Sequence, residues 1–180
     1  MKEIELKECL IKLNNNRSKV LSKISNEVVN VLNRLGMPFA RFNIDIKEKE
    51  VFDIYGNIDI SFMFSANKGR SMKEVAKIAS GGELSRLMLA LKYINSQNTK
   101  INTLIFDEID SGVSGEVASL MADMMNNISL DTQLIAISHL PQIASRAENH
   151  LKVQKYTLRD STESKVIELD GKQRVKEIAK

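Results

Sequence analysis

The sequence predicts an α/β domain with a partly parallel sheet, carried behind a long N-terminal helix that bears a coiled-coil stripe. Three observations predict it. Residues 2–35 hold neither Pro nor Gly and repeat apolar side chains at heptad-like spacing. From residue 80 onward, short apolar strands alternate with amphipathic helices, the pattern that builds parallel sheets. Between these regions lie two runs of apolar–polar alternation, the mark of strands with one covered face.

In the first region, Leu21, Ile24, Val28, Val31 and Leu35 follow a 3-4-3-4 spacing. Leu6, Leu10 and Leu13 continue a similar stripe upstream, and Asn14-Asn15-Asn16-Arg17 interrupts it. Gly36 and Pro38 end the helix. So narrow a stripe asks for a partner helix; an ordinary amphipathic helix packed on the domain is the plainer alternative. Phe42, Ile44 and Ile46 then alternate with Asn43, Asp45 and Lys47, and Ile58, Ile60, Phe62 and Phe64 with Asp59, Ser61 and Met63, with a turn expected around Tyr55-Gly56-Asn57. Residues 67–71 form a loop.

Leu84, Leu87, Met88, Leu91 and Ile94 mark one helical face. Thr103–Phe106 reads as a short buried strand, followed by a helix with Val117, Leu120, Met121, Met124 and Ile128 on one face. Gln133–Ile137 is a second buried strand. Pro141–Ala147 is a short helix, Leu151–Tyr156 and Lys165–Leu169 are strands, and a last helix begins near Lys172 and is cut off at Lys180. The expected organisation is an arm helix over residues 1–36 and one lobe over 37–180.

Composition sets outer bounds. A chain of 180 residues with 43% apolar residues can build one medium domain plus an appendage. The net charge of +3 does not by itself argue for nucleic acid. Cys9 is the only cysteine, so no intrachain disulfide is possible, which fits a reducing cytosol. The start of the chain has no signal-peptide core, and no apolar run is long enough to span a bilayer. The expectation is a cytoplasmic protein with no membrane partner.

Three motifs carry chemistry. Ser80-Gly81-Gly82 stands directly before a helix, where glycines let the backbone approach a ligand and the helix start offers free N–H groups. Alone, it would be a turn and an N-cap. Leu104-Ile105-Phe106-Asp107-Glu108 is a strand delivering two acids at its carboxyl end, the edge where α/β sheets bind ligands. One acid can hold Mg²⁺, and the next can orient or deprotonate an attacking water. Ser138-His139 ends another apolar strand, where an imidazole can meet a terminal phosphate, although a lone histidine there is commonly structural. Together they read as part of an ATP site.

In order and spacing these motifs resemble the second half of an ABC-type ATPase head: signature loop, Walker B strand, switch histidine. The fuller runs Ala79-Ser80-Gly81-Gly82-Glu83-Leu84-Ser85-Arg86, Phe106-Asp107-Glu108-Ile109-Asp110-Ser111-Gly112-Val113-Ser114-Gly115 and Ser138-His139-Leu140-Pro141-Gln142 resemble the RecN family of SMC-like ATPases over about residues 35–180. The resemblance implies a partial P-loop NTPase fold, the C-terminal lobe of an ABC-type ATPase head. Its N-terminal coiled-coil helix would be the returning strand of an antiparallel coiled coil. It implies ATP and Mg²⁺ as cofactors, with Asp107 binding the metal, Glu108 as catalytic base or water-positioner, and His139 contacting the γ-phosphate. Ser80, Gly81 and Gly82 would contact the γ-phosphate of ATP held by the opposite head of a homodimer. Ser111, Gly112 and Ser114 would belong to the D-loop at that interface. Ser114 stands where many relatives have Asp, so no carboxylate role carries over. Glu83 replaces a Gln common in transporters and is expected to point away from phosphates or cap its own helix.

The implied function is ATP binding and hydrolysis between paired heads in double-strand break repair and recombination, on nucleoid DNA. A non-catalytic dimerisation module and a transporter ATPase subunit are the alternatives. Transporters typically carry Pro-Thr after the Walker B acids, where this chain has Ile109-Asp110. None of the eight glycines begins or completes G-x-x-x-x-G-K-[ST]; Gly171-Lys172 is followed by Gln173. In the resembled family that loop precedes the coiled coil. The chain therefore reads as a C-terminal lobe, inactive alone, whose missing partner is the N-terminal head lobe and whose apolar face toward it is exposed. Lys68, Arg70, Lys73 and Lys77 form one basic run, and Lys152, Lys155 and Arg159 another. Either could face DNA or simply be solvated, and no stacking aromatics interleave with them.

Overall fold

A computed structural model describes residues 2–78, 80–113, 115–158 and 161–179. Ala79, Ser114 and Arg159 lie outside the described residues. The chain forms two compact units, one running to Asn98 and the other starting at Thr99.

The first unit opens with α1 (Lys2–Arg34), 33 residues long and so about 50 Å from end to end. Its end is built locally. Gly36 takes φ 75°, Gly36 N–H donates to Asn33 O, and Met37 N–H donates to Leu32 O, the paired bonds of a Schellman stop. Pro38 follows it. The covered face runs through Leu6, Leu10, Asn14, Arg17, Leu21, Ile24, Val28, Val31 and Leu35. The expected interruption at Asn14–Arg17 is therefore corrected, because Asn14 and Arg17 sit in the stripe itself. They are polar because they meet a hairpin tip: Asn14 Nδ2 donates to Asn57 Oδ1 (2.9 Å) and Arg17 Nη1 to Tyr55 O (2.7 Å).

That hairpin is β1 (Arg41–Asp53) and β2 (Gly56–Ser65), antiparallel with Phe42 opposite Phe64 and Ile46 opposite Ile60. β3 (Lys73–Glu74) pairs with β2, and a single 3₁₀ turn, Val75–Lys77, leads toward α2 (Gly81–Asn98). β1 runs well past the predicted strand, and its distal residues Val51 and Phe52 are exposed. At the tip Tyr55 N–H donates to Asp53 Oδ1 (2.7 Å) and Gly56 takes φ 103°. A Cβ on Gly56 would meet Arg17 Nη1 and Leu13 Cδ2, each at 3.3 Å. Gly56→Ala is expected to cost about 1–3 kcal/mol, the scale of a side chain held in a disfavoured backbone region. Urea unfolding checks this, and an unchanged midpoint would refute it.

On α2 the buried positions are Gly82, Leu87, Leu89 and Ala90, whereas Met88 is exposed. Leu87 and Leu89 lie on different sides of the helix, so α2 is covered on more than the single predicted face.

In the second unit β4 (Thr103–Asp107) and β5 (Gln133–Ile137) pair in parallel, Thr103 with Gln133 through Asp107 with Ile137. The connecting helix is α3 (Gly115–Ser129), which buries Ala118, Met121, Ala122, Met125 and Ile128 at helical spacing. This parallel strand–helix–strand unit confirms the α/β class. The predicted two-sided burial of the strands is corrected: Leu104 and Phe106 are buried, but Ile105, Ile135 and Ile137 are 66%, 44% and 55% exposed. α4 (Pro141–Ala144) is shorter than expected. β6 (Leu151–Leu158) and β7 (Ser161–Glu168) form an antiparallel hairpin. α5 (Gly171–Ile178) starts in a capping box between Asp170 and Gln173 and is tied to β6 by a 2.6 Å Lys152–Glu177 ion pair. No helix of the described residues is long and apolar enough to cross a membrane.

Candidate functional site

The candidate residues fall in both units. In the first, Ser80 O accepts the N–H of Leu84 at 3.1 Å, which makes Ser80 the residue before the first helical turn. The N–H groups of Gly81, Gly82 and Glu83 then have no acceptor within α2, as at any helix start. Ser80 and Gly81 are exposed, and Gly82 is buried. A hollow of about 420 Å³ is lined by Ser80, Glu83, Asn67, Arg70, Lys73 and Lys77, so most of the first basic run faces the same space as the loop. Lys68 is committed elsewhere, over the ring of Phe39 at 5.9 Å. Glu83 accepts a hydrogen bond from Asn67 Nδ2 (3.1 Å), which holds its carboxylate against the 67–71 loop.

Arg86, in the signature run, has no role legible in the sequence. Its Nε donates to Gly82 O (3.1 Å), and its Nη1 reaches Leu35 O (3.3 Å) and Gly36 O (3.5 Å). The guanidinium thus bridges the first turn of α2 and the terminal carbonyls of α1, where a cation also suits the helix dipole. Burial lowers its pKa, and the charge of Glu83 opposes the shift.

In the second unit Asp107 ends β4 with its side chain exposed. Glu108 follows with φ 48°, the only positive φ of a non-glycine among the described residues. Its N–H donates to Ile137 O at 3.1 Å, so the chain turns sharply where β4 and β5 both end. Left-handed backbone costs an ordinary residue about 1–2 kcal/mol, and such strain concentrates at functional sites. Both acids stand at the carboxyl edge of the parallel pair, as the sequence predicted. Among the described residues no group of three or more ligating side chains is assembled. One or two carboxylates suffice for Mg²⁺ when water and nucleotide phosphates complete its shell, so the strand-end acids fit that ion.

The loop beyond Glu108 is closed by Ser111 N–H to Glu108 O (3.0 Å) and Val113 N–H to Asp110 O (3.1 Å). Ser111 and Gly112 are exposed on it, Gly112 with φ 72°. His139 follows β5, exposed, with Nδ1 3.6 Å from Asp110 Oδ2. Asp110 is the residue that sequence reasoning passed over. Its only signal was an acid where transporters commonly carry Thr.

No family model matches the chain. In sequence it is 40% identical over 170 residues to the DNA repair protein RecN of Treponema pallidum, covering 91% of this chain and 30% of that protein. It is 41% identical over 182 residues to the RecN of Rickettsia prowazekii, covering 99% and 33%. The chain thus spans about a third of the length of these curated relatives. In structure it is similar to the Smc head domain with a coiled coil and joint from Pyrococcus yayanosii, with a TM-score of 0.72 at 19% identity over 92% of this chain and 30% of that one. A chain from a study of ATP-driven dimerisation and DNA-stimulated activation of SMC ATPases matches with a TM-score of 0.61 at 20% identity, covering 90% and 92%.

Proposed function

Because the chain is homologous to RecN-type DNA repair proteins along most of its length and folds like SMC heads, we propose that it is the C-terminal lobe of an SMC-like ATPase head acting in double-strand break repair and recombination. The observation that carries this reading is Glu108, held in strained backbone beside Asp107 where the parallel pair ends. Asp107 would hold Mg²⁺, which would supply positive charge beside the phosphates. Glu108 orients the attacking water and takes its proton. His139 meets the γ-phosphate. Ser80, Gly81 and Gly82 present helix-start N–H groups to ATP on an opposing head, and the loop through Ser111, Gly112 and Ser114 lies at that contact.

Another part of the intact protein supplies the P-loop, on an N-terminal lobe that covers Ile105, Ile135 and Ile137; a parallel pair is ordinarily covered on both faces, which supports this docking. α1 continues into the antiparallel arm, with residues 1–36 as arm and 37–180 as lobe. The intact protein works in the cytoplasm on DNA. Asp107→Asn in the intact protein is expected to weaken Mg²⁺-dependent ATP binding strongly while leaving binding of metal-free nucleotide in place. Titration of a fluorescent ATP analogue with and without Mg²⁺ checks it; equal affinity of mutant and wild type in Mg²⁺ would sink the metal role.

A further inference from the structure

Asp110 is 1% exposed, and its side chain is wholly buried. Its Oδ2 accepts a hydrogen bond from Ser138 Oγ at 2.5 Å and lies 3.6 Å from His139 Nδ1. Its Oδ1 is buried with no hydrogen-bond partner among the described residues. A buried carboxylate is costly unless paired and hydrogen-bonded, and one serine hydroxyl meets only part of that need. Ser138 Oγ in turn accepts Leu140 N–H at 3.0 Å, which pins the turn after β5. The His139 ring therefore leaves that turn with its Nδ1 edge toward the carboxylate, while the side chain as a whole is 72% exposed.

We propose that Asp110 is a positioning residue for His139. The carboxylate keeps a proton on Nδ1, so that Nε2 is the nitrogen turned outward to meet a terminal phosphate. Which imidazole nitrogen carries the proton is set by the partner of the other. The 3.6 Å separation is a few tenths beyond a hydrogen bond, and such contacts tighten when a site assembles. Asp110 also anchors the loop carrying Ser111 and Gly112, so that loop and the histidine share one buried support. The proposal rests on His139 acting at the phosphate.

Two measurements test it. The chain has two histidines, His139 and His150, so ¹⁵N-histidine labelling gives two rings, assigned with His150→Gln. At a pH where both are neutral, His139 is expected as the Nδ1–H tautomer. Asp110→Asn keeps the shape but removes the charge that holds the Nδ1 proton, and should raise the share of the Nε2–H form. A wild-type ring in the Nε2–H form, with the same spectrum in Asp110→Asn, would overturn the pairing without reference to ATP.

In the intact protein, Asp110→Asn should lower kcat for ATP about 10–100-fold, by analogy with losing the carboxylate that orients a metal-bound histidine, with KM little changed. In a His139→Ala background the same substitution should cost nothing further. An equal cost in both backgrounds would show that Asp110 acts through the loop alone. Unchanged turnover in His139→Ala would overturn the catalytic half of the proposal together with the phosphate role of His139. The spectra would still decide the pairing.

Discussion

Glu108→Gln in the intact protein is expected to cut ATP turnover by about 10²–10⁴-fold, the usual worth of a general base. ATP binding and head pairing should survive. Gln has the same size and branching as Glu, so it meets the same strain at φ 48° and keeps the N–H bond to Ile137 O. What it loses is the charge and basicity of the carboxylate, without which the side chain cannot take the proton of water. Steady-state hydrolysis measured beside nucleotide binding separates the two effects. If turnover persisted near the wild-type rate, the base would have to be sought elsewhere. If binding fell along with turnover, the division of labour between Asp107 and Glu108 would be wrong.

Ser80→Arg should abolish ATP-driven head pairing and lower turnover by about 10²-fold or more, the scale of removing backbone donors from a developing charge. ATP binding within one head should be largely intact. The small, exposed Ser80 precedes the open N–H groups of α2 and lines the hollow shared with Arg70, Lys73 and Lys77. An arginine there fills the approach to the helix start and discards a favourable N-cap. The decisive assay mixes this variant with a head whose P-loop lysine is disabled. If the loop serves nucleotide held by the partner, the mixed dimer has one site with both lesions and one with neither, and recovers part of the lost activity. Absence of recovery in a verified heterodimer would mean that the loop serves its own head or that both sites must fire together.

Much of this molecule was legible because the controlling interactions are local. Gly36 stops α1 through bonds spanning a few residues, and the period-two runs became β1 and β2. The order of motifs along β4, α3 and β5 by itself places Asp107, Glu108 and His139 at strand ends. Element extents were less legible: β1 outran its alternating stretch because, past an irregularity after Glu48, it pairs with β2 again at Asp53.

What only the tertiary structure decided is what each residue meets. Asn14 and Arg17 look like a break in the stripe until the hairpin tip arrives from some forty positions away. Met88 faces out and Leu89 in because α2 is covered on more than one side. Ile105, Ile135 and Ile137 have the composition of buried strand residues, yet one face of the parallel pair is open. Asp110 has no role legible in the sequence, and the fold buries it against Ser138, 28 residues on. Dihedral preference and hydrogen bonding within a turn act over a few residues and are written in the sequence. Burial and the pairing of charge depend on neighbours brought together by the fold, and they exist only once it has formed.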